Sequence, residues 1–162
     1  MKITLSLLVF FYNFNLFAET KSNSESNNLI PRFVSLKSSK ANLRVGPSTD
    51  YPIILQYIYP TMPLKVIQEY DKWGKIIDFE NNEGWIFVNL LSNNRYGVII
   101  SLNKDFVDIY KKPNGRIFGQ IGRGNVIKLN KCLNNWCKVK IDNYKGWVES
   151  KYIWGVLKNE AF

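Results

Sequence analysis

From Phe33 onward, short apolar runs alternate with clusters of turn-forming residues. "FVSLK" and "NLR" are the first strand candidates, and the dense turn chemistry of "GPSTDYP" separates them from "IILQYI". "LKVIQEY" follows with period-two alternation, then "WGKIIDF", the turn "ENNEG" and "GWIFV". Five or six short strands crowded into one such stretch are too many for helical packing. They predict a small, strongly bent β-barrel, a shape that removes most free sheet edges.

The same order of signals then recurs between about Gly97 and Val156. "GVIISLN", "DFVDIY", the turn "KKPNG", "RIFGQIG", "VIKLNK", "WCKVKID" and "GWVE" are its strands and turn. "GWIFVNLL" at 84–91 and "GWVESKYI" at 146–153 are one phrase written twice, and each follows a second tryptophan, Trp73 or Trp136. A period of this kind is the mark of an internal repeat. The tryptophan spacings differ by one residue, and the slip falls at the turn, "ENNEG" against "DNYKG". Length change is cheapest in a surface turn. The expected organisation is therefore all-β: barrel 1 at 32–93 and barrel 2 at 96–157, joined by the short link "SNNRY".

The N-terminus reads separately. Lys2, the apolar "ITLSLLVFFYNFNLF" and Ala18 have the form of a secretory signal peptide at 1–18, cleaved after Ala18. The rival reading is a membrane anchor, but Asn13 and Asn15 interrupt a run already shorter than the roughly 20 residues a span needs. No membrane span is expected after cleavage. Residues 19–31, Ser/Asn-rich and closed by Pro31, read as a flexible polar arm.

Export, to the periplasm or outside the cell, changes the reading of the two cysteines. Cys132 and Cys137 bracket "LNNW", and an oxidising compartment joins such a pair as a disulfide. A loop this short contributes about 2 kcal/mol by the chain-entropy argument. Zinc would need four ligands, and the chain has no His and no third Cys. No metal or cofactor is expected. The formal charge of +9, or +8 once Lys2 leaves, is spread along the chain. It favours anionic surfaces without defining a site.

At "ANLRVGPSTDYPII", followed by a Trp strand and "EGWIFVNLL", the sequence resembles the bacterial SH3 (SH3b) domain family. Asn42, Leu43, Arg44, Gly46, Pro47, Ser48, Trp73, Gly84 and Trp85 match that family's pattern as they stand. The family's usual middle-turn Gly is replaced here by "YPTMP". The second repeat keeps Trp136, Gly146, Trp147 and "SKYIWG", with "IYKKPNGR" in place of the Arg-x-Gly-Pro-Ser run, and looks like a degenerate copy. The resemblance implies tandem SH3-like barrels and a binding module whose partner is a cell-wall peptide or another envelope protein.

Within that frame, Gly46 is expected to serve a positive-φ turn and Pro47 to preset the next φ. Arg44 has two readings: clamping a ligand carboxylate, or tying down its own loop through carbonyls or Asp50. Trp85 and Trp147, each after a Gly, are expected in the barrel cores. Trp73, with Tyr51, Tyr70 and Asp71, is read as one wall of an aromatic groove with a polar edge, against ordinary packing between loops. The candidate groove is thus Arg44, Asp50, Tyr51, Tyr70, Asp71 and Trp73. Gly46, Pro47, Gly84, Trp85, Trp136, Gly146 and Trp147 are expected to be structural.

Catalysis is disfavoured. Without His there is no Ser-His or Cys-His pair, and no P-loop or Rossmann fingerprint is present. Asp71, Asp78, Glu80 and Glu83 fall together, but acids in turns are ordinarily just solvated. Small aromatic barrels do bind single-stranded nucleic acid. Export argues against that partner here.

Overall fold

The computed structural model describes residues 29–162. The signal peptide expected at 1–18 and most of the arm at 19–31 lie outside the described residues. Among the described residues no helix is long and apolar enough to cross a membrane.

The first copy runs β1 (Arg32–Leu36), β2 (Ala41–Arg44), β3 (Ile53–Tyr57), β4 (Pro63–Tyr70), β5 (Trp73–Ile77) and β6 (Glu83–Phe87), closing with a 3₁₀ turn and β7 (Leu91–Ser92). The second runs β8 (Tyr96–Ile99), β9 (Phe106–Tyr110), β10 (Ile117–Gly122), β11 (Val126–Leu133), β12 (Trp136–Ile141) and β13 (Tyr144–Glu149), closing with a 3₁₀ turn and β14 (Ile153–Trp154). The hydrogen-bonded orders are β3-β2-β6-β5-β4-β1-β7 and β10-β9-β13-β12-β11-β8-β14. Each strand of the second sheet stands where its counterpart stands in the first. The repeat read from the tryptophans is a repeat of topology.

Each copy buries its own core. Val34, Leu36, Leu43, Leu64, Val66, Ile76 and Ile86 belong to the first. Ile99, Val107, Ile109, Ile127, Val139 and Val148 belong to the second, together with Cys132 and Cys137. The two cysteines are bonded, and they face each other in register across the β11–β12 hairpin. Their sulfurs staple the hairpin from the core side.

The twice-written Gly-Trp has a geometric reason. β6 meets β2 at a single register pair, Arg44 with Trp85, and β13 meets β9 at Tyr110 with Trp147. A Cβ on Gly84 would sit 2.7 Å from the Arg44 carbonyl oxygen, and one on Gly146 would sit 2.5 Å from Ile109 Cγ1. Only glycine lets the strands close there. Because side chains alternate along a strand, the next residue points the other way. Trp85 and Trp147 therefore stand on the opposite strand face from Ile86 and Val148, and the expectation of a buried ring is corrected for Trp147 alone. Trp85 is nevertheless buried, at 9% exposure, between the register neighbours Arg44 and Lys75, whereas Trp147 is only half-buried.

Two of the turns that differ between the copies bear on the stability of barrel 1. In the middle turn Thr61 donates its N–H to the Leu36 carbonyl, as Gly124 does to that of Ile99. Gly124 holds φ at 85° and Thr61 at 66°. A β-branched residue in that left-handed region is strained by roughly 1–2 kcal/mol. Thr61→Gly is expected to stabilise barrel 1 by up to about 1 kcal/mol, part of the relief being offset by a more flexible unfolded chain. A higher urea midpoint at unchanged slope would bear this out, and a lower one would refute it.

The second difference is the β5–β6 connection, five residues at 78–82 against two at 142–143. Asp78 is 2% exposed, which overturns its reading as a solvated turn acid. Its carboxylate accepts from Tyr57 Oη at 3.0 Å and from the Glu80 N–H, Asn82 N–H and Asn82 Nδ2, each at 2.9 Å. Burial first, then the Asp78 carboxylate and its hydrogen bond, pushes the Tyr57 hydroxyl far above the usual tyrosine range. It remains a donor at every ordinary pH.

The two barrels touch. Along β1, Val34 and Leu36 point into their own core while Phe33 and Ser35 are buried on the other face. What covers that face belongs to the second copy and the link: Trp154 meets Phe33 edge-on at 4.9 Å, and Ser35 Oγ donates to the Asn94 carbonyl at 2.8 Å. Arg95 of the link donates to both Glu160 carboxylate oxygens and to the Gly155 carbonyl. Its guanidinium lies 4.3 Å from the centre of the Phe162 ring. Phe162 in turn exchanges two backbone hydrogen bonds with Cys132, so the C-terminal residues are tied to β11.

Candidate functional site

The loop leaving β2 is organised by its own residues. Arg44 Nη1 donates to the Tyr51 carbonyl at 2.7 Å, Val45 N–H reaches the Pro52 carbonyl, and Ser48 Oγ lies 3.0 Å from Asp50 Oδ2. Gly46 is needed for space. Its φ is not in the left-handed region, but a Cβ there would stand 2.6 Å from the Tyr51 ring. That corrects the positive-φ reading: the glycine admits an aromatic lid over the loop.

Beside this loop lies a groove of about 610 Å³. Pro47 and Ser48 of the loop form one side, and Trp73 and Phe87 form an aromatic wall. The two rings are register partners across β5–β6 and meet edge-to-face at 5.7 Å. Asp71, in the tight β4–β5 turn at φ 49°, supplies a carboxylate, and Arg44 and Lys40 supply cations.

Of the six residues expected at a groove, three line it: Arg44, Asp71 and Trp73. The other three do not. Asp50 turns back to Ser48, Tyr51 covers Gly46, and Tyr70 stands in register beside Trp73 but is 63% exposed and outside the lining. Sequence reasoning missed Lys40, Phe87 and the pair Asn42–Gln56, whose side chains hydrogen-bond across β2–β3 at 2.8 Å. Phe87 was findable, because it follows Trp85 at strand spacing and so shares its face.

In the second copy the positions that match this groove are changed. Tyr110 takes the register position of Arg44, and its ring packs edge-on against Trp136 at 5.0 Å. The altered "KKPNG" turn closes through Lys111 and Arg116 backbone instead.

The architecture is thus a tandem pair of small β-barrels, one with an open aromatic groove beside its first long loop. The chain belongs to the bacterial SH3 domain family, whose model matches residues 37–93 and again 104–155. No curated protein matches it. Among solved structures it is similar to NlpC1 from Trichomonas vaginalis, at 9% identity over 80% of this chain and 47% of that one, TM-score 0.35. It is also similar to NlpC2 of the same organism, at 8% identity over 76% of this chain and 48% of that one, TM-score 0.35. The chain thus spans about half the length of these two. The endolysin LysPBC5 CBD matches at 16% identity over 75% of this chain and 90% of that one, TM-score 0.31.

Proposed function

We propose that the mature protein is an exported, non-catalytic binding module that recognises cell-wall peptide through the groove of barrel 1. The observation that carries this is the open Trp73–Phe87 wall, set between the cations Arg44 and Lys40 and the carboxylate of Asp71. A peptide bearing both amine and carboxylate groups on short aliphatic side chains meets complementary charge and an apolar face in such a groove. Family membership supports a binding role, and the buried disulfide supports an oxidising compartment.

The test is capture on purified peptidoglycan. Trp73→Ala is expected to weaken binding by about 2 kcal/mol, roughly thirtyfold, as an interface anchor does. The β-sheet circular dichroism should stay unchanged. Undiminished binding by this variant that vanishes in moderate salt would instead indicate non-specific attraction by the net positive chain.

One observation favours a second reading, an assembly adaptor for another envelope protein. The outermost strand of the first sheet, β3, and its flanks expose Ile53, Ile54, Ile58 and Tyr59, each at about half exposure or more. Absence of peptidoglycan binding, with one protein captured from envelope extract, would support that role.

A further inference from the structure

We infer that the seam between the barrels holds a second binding site, for the free carboxyl end of an apolar peptide. An open cleft of about 1000 Å³ lies there, at the upper end of what ligand pockets span. Phe79 and Glu80 of barrel 1 form one wall. Ile100, Leu102 and Tyr152 of barrel 2 form the other, over the buried Val98 and Ile99.

Two features go beyond what the fold requires. The β8–β9 loop is six residues long, 100–105, where its counterpart 37–40 has four. The longer loop carries Leu102 at 98% exposure beside the cleft. With Phe79, Ile100 and Tyr152 it makes a contiguous apolar lining rather than a singly exposed residue, and such a patch reads as contact surface.

The charges make the other half of the case. Lys104, Arg123 and Lys151 ring the cleft, with Glu80 opposite. Lys151 is committed to Glu149, but neither Lys104 nor Arg123 forms a salt bridge among the described residues. The guanidinium of Arg123 makes one long hydrogen bond, 3.4 Å, to the Ser101 carbonyl, which leaves its fork open to a carboxylate. A peptide's last residue carries a carboxylate and a side chain on the same Cα, so one residue meets both the fork and the apolar walls. A flat anionic bilayer fits less well, because Phe79 and Glu80 raise a wall and a like charge on its path.

This site is independent of the Trp73 groove and is tested separately from it. The full chain, isotopically labelled, would be titrated by NMR with N-acetyl-Leu-Phe and with its C-terminal amide. The acid is expected to bind about tenfold more tightly than the amide, as one charge-assisted contact implies. Shifts should fall on residues 79–80, 100–104 and 123–124. Arg123→Ala should abolish the preference, Leu102→Ser should weaken both ligands, and Trp73→Ala should change neither. Both substituted seam residues are exposed, so folding is spared. Equal affinity for acid and amide, shifts confined to the Trp73 groove, or no binding of either peptide would overturn the inference. So would association with phosphatidylglycerol vesicles alone, through Leu102.

Discussion

Asp78→Ala is expected to destabilise barrel 1 by about 3–5 kcal/mol and to leave barrel 2 nearly unchanged. The side chain is an acceptor for four donors, and three of them, the Tyr57 hydroxyl and the N–H groups of Glu80 and Asn82, are held at the edge of a packed core. Removing the carboxylate strands these donors where water reaches them poorly, and each stranded donor costs roughly 1–3 kcal/mol. The contributions are not additive, because the 78–82 loop relaxes once its anchor is gone. Asp78→Asn should lose less, since its amide keeps one good acceptor. Denaturant unfolding followed by the tryptophans of each barrel would separate the two units, and equal loss in both barrels would contradict a local anchor. The variant should also loosen Phe79, whose ring meets Trp154 at 6.5 Å across the seam.

A comparable loss is expected for Trp85→Ala, about 3–5 kcal/mol, the usual cost of deleting a large buried ring. The reason differs from the one the sequence suggested. Trp85 is buried apart from the central cluster, at the corner where β6 closes on β2, with Arg44 and Lys75 as its register neighbours. Its removal exposes that corner beside Arg44, which holds the Tyr51 carbonyl. Trp147 has the same strand position but is only half-buried, so Trp147→Ala should cost clearly less. Thermal unfolding of the two variants tests the order. A larger loss for Trp147 would mean that the corner is not what Trp85 supports.

Much of the architecture was legible because it rests on local signals. The alternation of "LKVIQEY", the turn residues of "GPSTDYP" and the doubled Gly-Trp phrase report strand, turn and repeat from local sequence, and two barrels follow from them. The cysteine pair was legible for a similar reason: five residues apart across a hairpin turn, the two sulfurs face each other whatever the remainder does. The candidate groove was only half legible. Arg44, Asp71 and Trp73 lie on three separate stretches, and only closure of the barrel brings them to one cleft.

By itself, then, the sequence determined that this protein is a repeated all-β chain, because strand alternation and turn chemistry depend on neighbours a few residues away. Tertiary structure alone decided which face each tryptophan shows, that Asp78 is buried, and that Phe33, Arg95 and Trp154 join two barrels at a seam. Those outcomes depend on what packs against a residue from the far side, and no local pattern of hydrophobic and polar positions records it.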